Sequence, residues 1–344
     1  IPTFLALFRA AQSQARAAVG VGRRAYKGGP LADYLVIDEA SQILEPALIG
    51  LLSMGIPYVL IGDHKQLPAV VNQSLEETYT HQPELHDIGL YNLSNSYFER
   101  MFDIVQSSNW KWAFGILTHQ GRMHRDLMGY PNQFFYENIL EILPFDAGRQ
   151  TIPLHGKFDD FTDLAHCLCS HRTIFIPTTD QNFLNHKVNV EEANRIVEII
   201  RCLLEIRPNL DPAEIGIITP YRAQIATIRH ALEEGGVDYR EITVDTVERY
   251  QGGAKDVIII SYCINVFSQV HQLKESMTAD GVDRKLNVAM TRAREQIIFL
   301  ANEELMREHP LYEALLFHYH RFTPQKKSLH LNSGKMEADK GSAV

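Results

Sequence analysis

Two adjacent carboxylates, Asp38 and Glu39, stand where the apolar run Leu35-Val36-Ile37 ends in the stretch DYLVIDEASQ. A carboxylate at a strand end can hold magnesium through water, and a neighbouring glutamate can orient or deprotonate an attacking water. Phosphoryl transfer requires both parts. The same pair equally suits a helix N-terminus, where negative charge is favoured. Asp63 closes a second apolar run in LIGDHKQLPAVV, and Gln66 follows it in a tight segment ended by Pro68. A glutamine there can hold a water or a phosphate oxygen, while Gly62, Asp63 and Pro68 also specify a plain turn. Three arginines complete the set: Arg122 in LTHQGRMH, and Arg292 and Arg294 in RKLNVAMTRAREQIIFL. Their guanidinium forks fit phosphate oxygens as a transition-state clamp, or cap the negative end of a helix. Gln251-Gly252-Gly253 forms a glycine loop ahead of a buried run.

Such residues need elements to position them. YLVID (34–38), YVLIGD (58–63), AFGILT (113–118), TIFIP (173–177), IGIITP (215–220), ITVDTV (242–247), DVIIISY (256–262) and QIIFLA (296–301) are near-continuous Val/Ile/Leu runs. They predict strands buried on both faces, as in a parallel sheet. Amphipathic helices lie between them. One starts at Asn189 with Glu192 three residues on, a capping-box pattern, and sets Ala193, Ile196, Val197, Ile200 and Leu203 on one face. Another runs from Tyr221 to Glu234 and stops at Gly235-Gly236. Ser41 and Pro46 lead into a helix over EPALIGLLSMG, and Arg292 and Arg294 are expected at the end of a short helix that precedes a strand. The alternation predicts an α/β fold with right-handed crossovers and ligands beyond the carboxyl ends of strands. The polar segments 71–95 and 265–283 read as loops, and the tail from Phe322 as disordered.

Bulk properties narrow the classes. The 344 residues are 45% hydrophobic and 22% charged, globular values with length for two domains. No apolar run is long enough to span a membrane, and no secretory signal pattern opens the chain. Four cysteines are too few for a disulfide scaffold and fit a reduced, intracellular setting, cytoplasmic or nuclear. In HCLCSH the cysteines are one residue apart, too close for the usual zinc spacing, so the stretch reads as an ordinary edge or loop segment. The net charge of −9 argues against a generally basic nucleic-acid coat but leaves room for a local cationic groove.

The order of these stretches is more specific than any one of them. Asp-Glu, Gly-Asp-x-x-Gln-Leu-Pro, Gln-x-Arg-Met-His, Thr-Pro-Tyr, Val-Asp-Thr followed by Gln-Gly, and Asn-Val-Ala-x-Thr-Arg-Ala-Arg succeed one another along the chain. Over roughly residues 30–305 the chain resembles superfamily 1 helicases, in the branch of the nonsense-mediated-decay RNA helicase and its DNA-acting relatives; NLSNSYFERMF (92–102) is also similar to that branch. The resemblance implies RecA-like parallel-sheet domains of the P-loop NTPase fold: the later part of a first one (1–115), a complete second one (116–321) and a tail (322–344). It implies an ATP-dependent helicase or translocase on single-stranded DNA or RNA, with ATP and Mg²⁺ between the domains. Asp38 would then hold Mg²⁺, Glu39 would activate water, and Gln66 would sense the γ-phosphate. Arg122 and Arg294 would be arginine fingers, with Arg292 assisting. Gln251 and Gly252 would lie near nucleotide, and Thr219, Tyr221 and Thr246 would face the nucleic-acid backbone.

Three departures from the family pattern stand out. No G-x-x-x-x-G-K-[ST] phosphate loop occurs in the chain, which implies a partner segment of the same polypeptide and little ATP turnover by these residues alone. Ala254 stands where the family has a glutamate that grips the ribose, and Gly121 where relatives often have a stacking aromatic. The missing phosphate loop and Ala254 also motivate the alternative of a nucleic-acid-binding scaffold without catalysis.

Overall fold

Isoleucine-rich strands form the centre of the fold because both of their faces are covered. The computed structural model describes residues 32–71, 73–154, 162–179, 186–275, 277–278 and 281–323. Its strands are β1 (Leu35–Ile37), β2 (Tyr58–Leu60), β3 (His119–Gln120), β4 (Glu141–Ile142), β5 (Thr173–Thr178), β6 (Ile215–Ile218), β7 (Thr243–Asp245), β8 (Lys255–Ser261), β9 (Ala293–Asn302) and β10 (His320–Arg321). Its helices are α1 (Glu45–Leu52), α2 (Leu75–Thr78), α3 (Pro83–Asp87), α4 (Tyr97–Ser107), α5 (Arg125–Phe135), α6 (Asp163–Ser170), α7 (Val190–Ile206), α8 (Arg222–Glu234), α9 (Phe267–Glu275), α10 (Arg284–Met290), α11 (Glu303–Met306) and α12 (Pro310–His318).

The main sheet is parallel throughout, in the order β10-β5-β9-β8-β6-β7. Alternate residues of each central strand enter different cores. Val257 and Ile259 of β8 pack with α7 and α8, while Ile258 and Ile260 pack on the opposite face with α5, α10 and α12. The pattern repeats in β9, where Ile298 and Leu300 face one way and Ile297 and Phe299 the other. This is the three-layer α/β arrangement of the RecA-like, P-loop NTPase fold. A second, two-stranded parallel sheet, β1-β2, lies in the earlier part of the chain, with α1 and α4 beside it.

Several expectations need correction. AFGILT forms no strand: Ile116 and Leu117 are 53% and 87% exposed, and the adjacent β3 pairs instead with β4. Its composition suits a strand, but only its last residue meets one: the Thr118 carbonyl accepts from the Glu141 N–H of β4 at 2.7 Å. The segments 71–95 and 265–283 are not plain loops; they carry α2 and α3, and α9. HCLCSH falls in α6, whose N-cap Thr162 accepts from the Ala165 N–H, and Cys167 is buried. Arg292 and Arg294 both lie past the end of α10 at Met290, Arg292 in the turn before β9 and Arg294 on β9. Phe322 is buried and its N–H donates to the Phe175 carbonyl at 2.8 Å, so order extends beyond the expected tail boundary; residues 324–344 lie outside the described part.

The expected capping box at Asn189 is half formed. Asn189 Oδ1 accepts from the Glu192 N–H at 2.9 Å. The Glu192 carboxyl turns inward instead, accepting from Ser261 Oγ at 2.6 Å and the Cys263 N–H at 3.1 Å. Gln224 Oε1 satisfies the Asn189 N–H in its place, at 2.8 Å. A tertiary network thus replaces a local cap, and fully buried Glu192 is pushed up to about 8 by burial.

Candidate functional site

Where β1 ends the chain turns sharply. Asp38 Oδ1 accepts from the Glu39 N–H at 2.9 Å. Glu39 adopts φ 51°, ψ 35°, a left-handed conformation uncommon for a residue with a side chain. The turn buries Ala40, whose N–H donates to the Ile61 carbonyl at 2.8 Å, and leaves both carboxylates exposed. Gly62 is required beside it, since a Cβ there would sit 2.9 Å from the Ser41 backbone nitrogen. The two strand ends therefore hold Asp38-Glu39 and Asp63 in one fixed relation.

Asp63 both builds its turn and orients Gln66. Its Oδ1 accepts from the Lys65 N–H at 2.9 Å, and its Oδ2 accepts from Gln66 Nε2 at 2.8 Å. This loop is gripped from the other sheet's side. Arg284 Nε donates to the His64 carbonyl at 2.7 Å, Asn287 Nδ2 to the Lys65 carbonyl at 2.8 Å, and Arg292 Nη2 to Gln66 Oε1 at 3.2 Å. Tyr136 OH donates to Asp63 Oδ2 at 2.7 Å. Leu67 enters the core that contains Met123, Leu127 and Tyr250, and its carbonyl accepts from Gln251 Nε2 at 3.5 Å.

Three guanidinium groups lie nearby. Arg122 Nη1 donates to the Thr291 carbonyl at 3.1 Å, and Gln120 Oε1 fixes its turn by accepting the Arg122 N–H at 3.0 Å. Arg292 is 1% exposed, with Nε on the Val288 carbonyl at 3.1 Å and Nη1 on the Gly253 carbonyl at 3.4 Å. Burial lowers the proton affinity of both, and holds Arg292 at about 10; the Glu39 carboxylate pulls each back up. Glu39, Arg122 and Arg292 thus share one electrostatic neighbourhood. Arg294 is the exception: its Nε donates to Asp256 Oδ1 at 2.7 Å, its Nη1 to the Ala254 carbonyl at 3.1 Å, and it also pairs with Glu214. It faces acids of the main sheet's own edge, although its charge reaches Arg122.

The remaining predicted residues divide between two ends of the main sheet. Gly252 takes φ +80° and is exposed in the turn ahead of β8, next to Gln251. Thr219, Tyr221 and Thr246 follow the carboxyl ends of β6 and β7, where the Thr219 N–H donates to the Asp245 carbonyl at 3.2 Å. Thr219 is fully buried, and its hydroxyl has no hydrogen-bond partner among the described residues. Tyr221 OH accepts from Gln269 Nε2 at 3.0 Å. Thr246 starts the short 3₁₀ turn Val247–Tyr250. Residues 246–254 therefore span the sheet from one end to the other. At Gly121, the space a side chain would take is filled by Leu143, whose Cδ1 lies 2.8 Å from an ideal Cβ.

Sequence reasoning passed over Tyr136, Asn287, Arg284 and Glu99. Tyr136 lies outside every quoted stretch, whereas Asn287, Arg284 and Glu99 lie within RKLNVAMTRAREQIIFL and NLSNSYFERMF; only the tertiary contacts reveal what each one holds. No cluster of three or more His, Cys, Asp or Glu side chains suited to a metal exists among the described residues. One or two exposed carboxylates fit magnesium, which keeps several waters and shares substrate phosphates. No helix among the described residues is long and apolar enough to cross a membrane.

A family model described as an AAA domain matches residues 93–304, more than half of the chain, and a second AAA-domain model matches residues 19–74. The DNA replication ATP-dependent helicase/nuclease JHS1 of Arabidopsis thaliana is 30% identical over 293 residues, covering 83% of this chain and 20% of that protein. The DNA replication ATP-dependent helicase/nuclease DNA2 of Bos taurus is 30% identical over 328 residues, covering 89% and 28%. Regulator of nonsense transcripts 1 of Dictyostelium discoideum is 31% identical over 295 residues, covering 83% and 20%. The chain thus spans between a fifth and a third of the length of these relatives. With an acidic strand end, a glutamine loop and the Arg122 and buried Arg292 guanidiniums set around one boundary, and with these matches, the chain belongs to the AAA-domain helicases of superfamily 1.

Proposed function

We propose that this chain supplies the later part of an ATP-driven motor acting on single-stranded DNA or RNA, with ATP hydrolysed between its two sheets. The observation that carries this reading is the shared neighbourhood of Glu39, Arg122 and Arg292 around the Asp63–Gln66 loop. Asp38 would hold magnesium, which supplies charge neutralisation for the phosphates. Glu39 is exposed, its Oε2 accepts from Gln42 Nε2 at 2.5 Å, and its other oxygen orients a water toward the terminal phosphate. Gln66 lies at the boundary, tied to Asp63 on one side and Arg292 on the other, and so registers what occupies the cleft. Arg122 and, once released from Asp256 and Glu214, Arg294 stabilise charge as it develops on the transferred group. Gln251 and Gly252 flank the nucleotide. Thr219, Tyr221 and Thr246 contact the nucleic-acid backbone, and the segment 246–254 links that edge to the cleft. The phosphate loop comes from a segment of the same polypeptide outside this sequence.

The test is Glu39→Gln in the full-length protein. ATP should still bind, while turnover stimulated by a single-stranded oligonucleotide should disappear. Near-parental hydrolysis would remove Glu39 from its assigned role. Loss of nucleic-acid stimulation without any parental turnover would favour the scaffold alternative.

A further inference from the structure

The loop that carries Gln66 is held from the main sheet's side by Tyr136, which lies outside every quoted stretch, and by Asn287 and Arg284, which lie in RKLNVAMTRAREQIIFL but carry no expected role. Tyr136, at the end of α5, donates to Asp63 Oδ2 at 2.7 Å, the same oxygen that receives Gln66 Nε2 at 2.8 Å. Asn287, fully buried in α10, donates to Tyr136 OH at 3.0 Å and to the Lys65 carbonyl at 2.8 Å. The phenol is thereby orientated: it receives from the amide and gives to the carboxylate. Burial and the Asp63 charge raise its proton affinity further, so it remains a donor. The clamp is closed at its far end by Arg284, whose Nη2 meets Glu99 Oε1 of α4 at 2.5 Å while its Nε holds the His64 carbonyl. Tyr136 and α10 belong to the lobe of the large sheet; Asp63, Gln66 and Glu99 belong to the other.

We propose that Tyr136 is a positioning residue for Gln66. By fixing Asp63, it sets the glutamine side chain in the pose that faces the cleft, and only when the lobes are closed. The Glu99–Arg284 pair holds the closure that brings Tyr136 to Asp63. This rests on the motor reading above. Because the phenol acts through a carboxylate on a side chain that meets the transition state, its removal should affect turnover and leave the initial capture of ATP largely intact.

The experiment uses the full-length protein with a saturating single-stranded oligonucleotide, and reads kcat and KM for ATP separately. Tyr136→Phe should lower kcat about tenfold, the scale of one charge-assisted hydrogen bond, with KM within about twofold of the parent. Arg284→Glu should lower kcat likewise, and the exchange Glu99→Arg with Arg284→Glu should restore the part carried by the ion pair but not the part carried by the bond to the His64 carbonyl. This pair is partly solvated, so its variants report even where Tyr136→Phe is too unstable to assay. A parental kcat in Tyr136→Phe, a matching rise in KM, or no rescue by the exchanged pair overturns the assignment. Glu39→Gln assayed alongside separates the two readings. If it is dead while Tyr136→Phe is unimpaired, only the positioning role falls. If the parent protein itself shows no oligonucleotide-stimulated ATP turnover, the motor reading falls, and the positioning role falls with it.

Discussion

Arg292 and Gln66 meet across the boundary between the two sheets, guanidinium Nη2 to amide Oε1 at 3.2 Å. A guanidinium that is 1% exposed is tolerated only because its donors are used, here by Gln66, Val288, Gly253 and Thr291. It is a structural tie between the lobes as much as a source of positive charge for the cleft.

The tie can be cut without removing bulk. Arg292→Met keeps much of the volume but strands several carbonyl acceptors, and should destabilise the protein by about 2 kcal/mol in urea unfolding. Arg292→Lys should recover less than half of that, because a single ammonium cannot reproduce the planar fork. Full recovery by lysine would show that charge alone matters.

Gly62 and Gly121 form a matched pair of probes. A Cβ at Gly62 would meet the Ser41 backbone at 2.9 Å, whereas one at Gly121 would meet only the end of the Leu143 side chain at 2.8 Å. Gly62→Ala should therefore cost about 1–3 kcal/mol, and Gly121→Ala less than about 1 kcal/mol, since a rotamer change relieves it. Equal unfolding midpoints for the two variants would contradict the rigidity assigned to the acidic turn.

Glu192 gives the fold a pH dependence of unusual sign. Its carboxyl is held at about 8 by burial, against an ordinary value of 4.5. Between those values the folded chain keeps a proton that the unfolded chain releases. The stabilisation is complete below the ordinary value and is lost as pH climbs toward about 8. Glu192→Gln should flatten this slope, shrinking the Tm difference between about pH 5 and about pH 8 by several degrees. An unchanged slope in calorimetry would place the titration elsewhere.

The two candidate fingers differ in how they are held, and their variants should differ as well. Arg122→Ala and Arg294→Ala should each lower ATP turnover by about 10³. Asp256→Asn, which loosens Arg294, should change it by less than about tenfold. Steady-state assays decide; parental turnover in Arg294→Ala would confine that side chain to its bridges with Asp256 and Glu214.

The sheet was legible because its central strands are apolar on both faces, which leaves a continuous run of isoleucines in DVIIISY and QIIFLA. AFGILT carries the same signature and forms no strand, since composition states a preference and a ladder needs a neighbour. The short helices α2 and α3 were missed because their polar sequences lack an apolar stripe, and α9 because its stripe of Phe267, Val270 and Leu273 is short and set among polar residues. Asp38, Glu39 and Gln66 could be singled out from the strand ends they follow. Tyr136, Asn287 and Glu99 could not, because their roles arise from contacts between residues far apart in the chain, such as the 151 positions that separate Tyr136 from Asn287. Glu192 had the spacing of a cap and was recruited by the core.

Leu67 adds a mechanical consequence. It is carried by one lobe but seated among Met123, Leu127 and Tyr250 of the other, at 6% exposure. Parting the lobes means withdrawing that side chain into water, at a cost of about 2 kcal/mol. A motor cycle that parts the two sheets would therefore pass through a discrete step, the withdrawal of Leu67, rather than a gradual yaw.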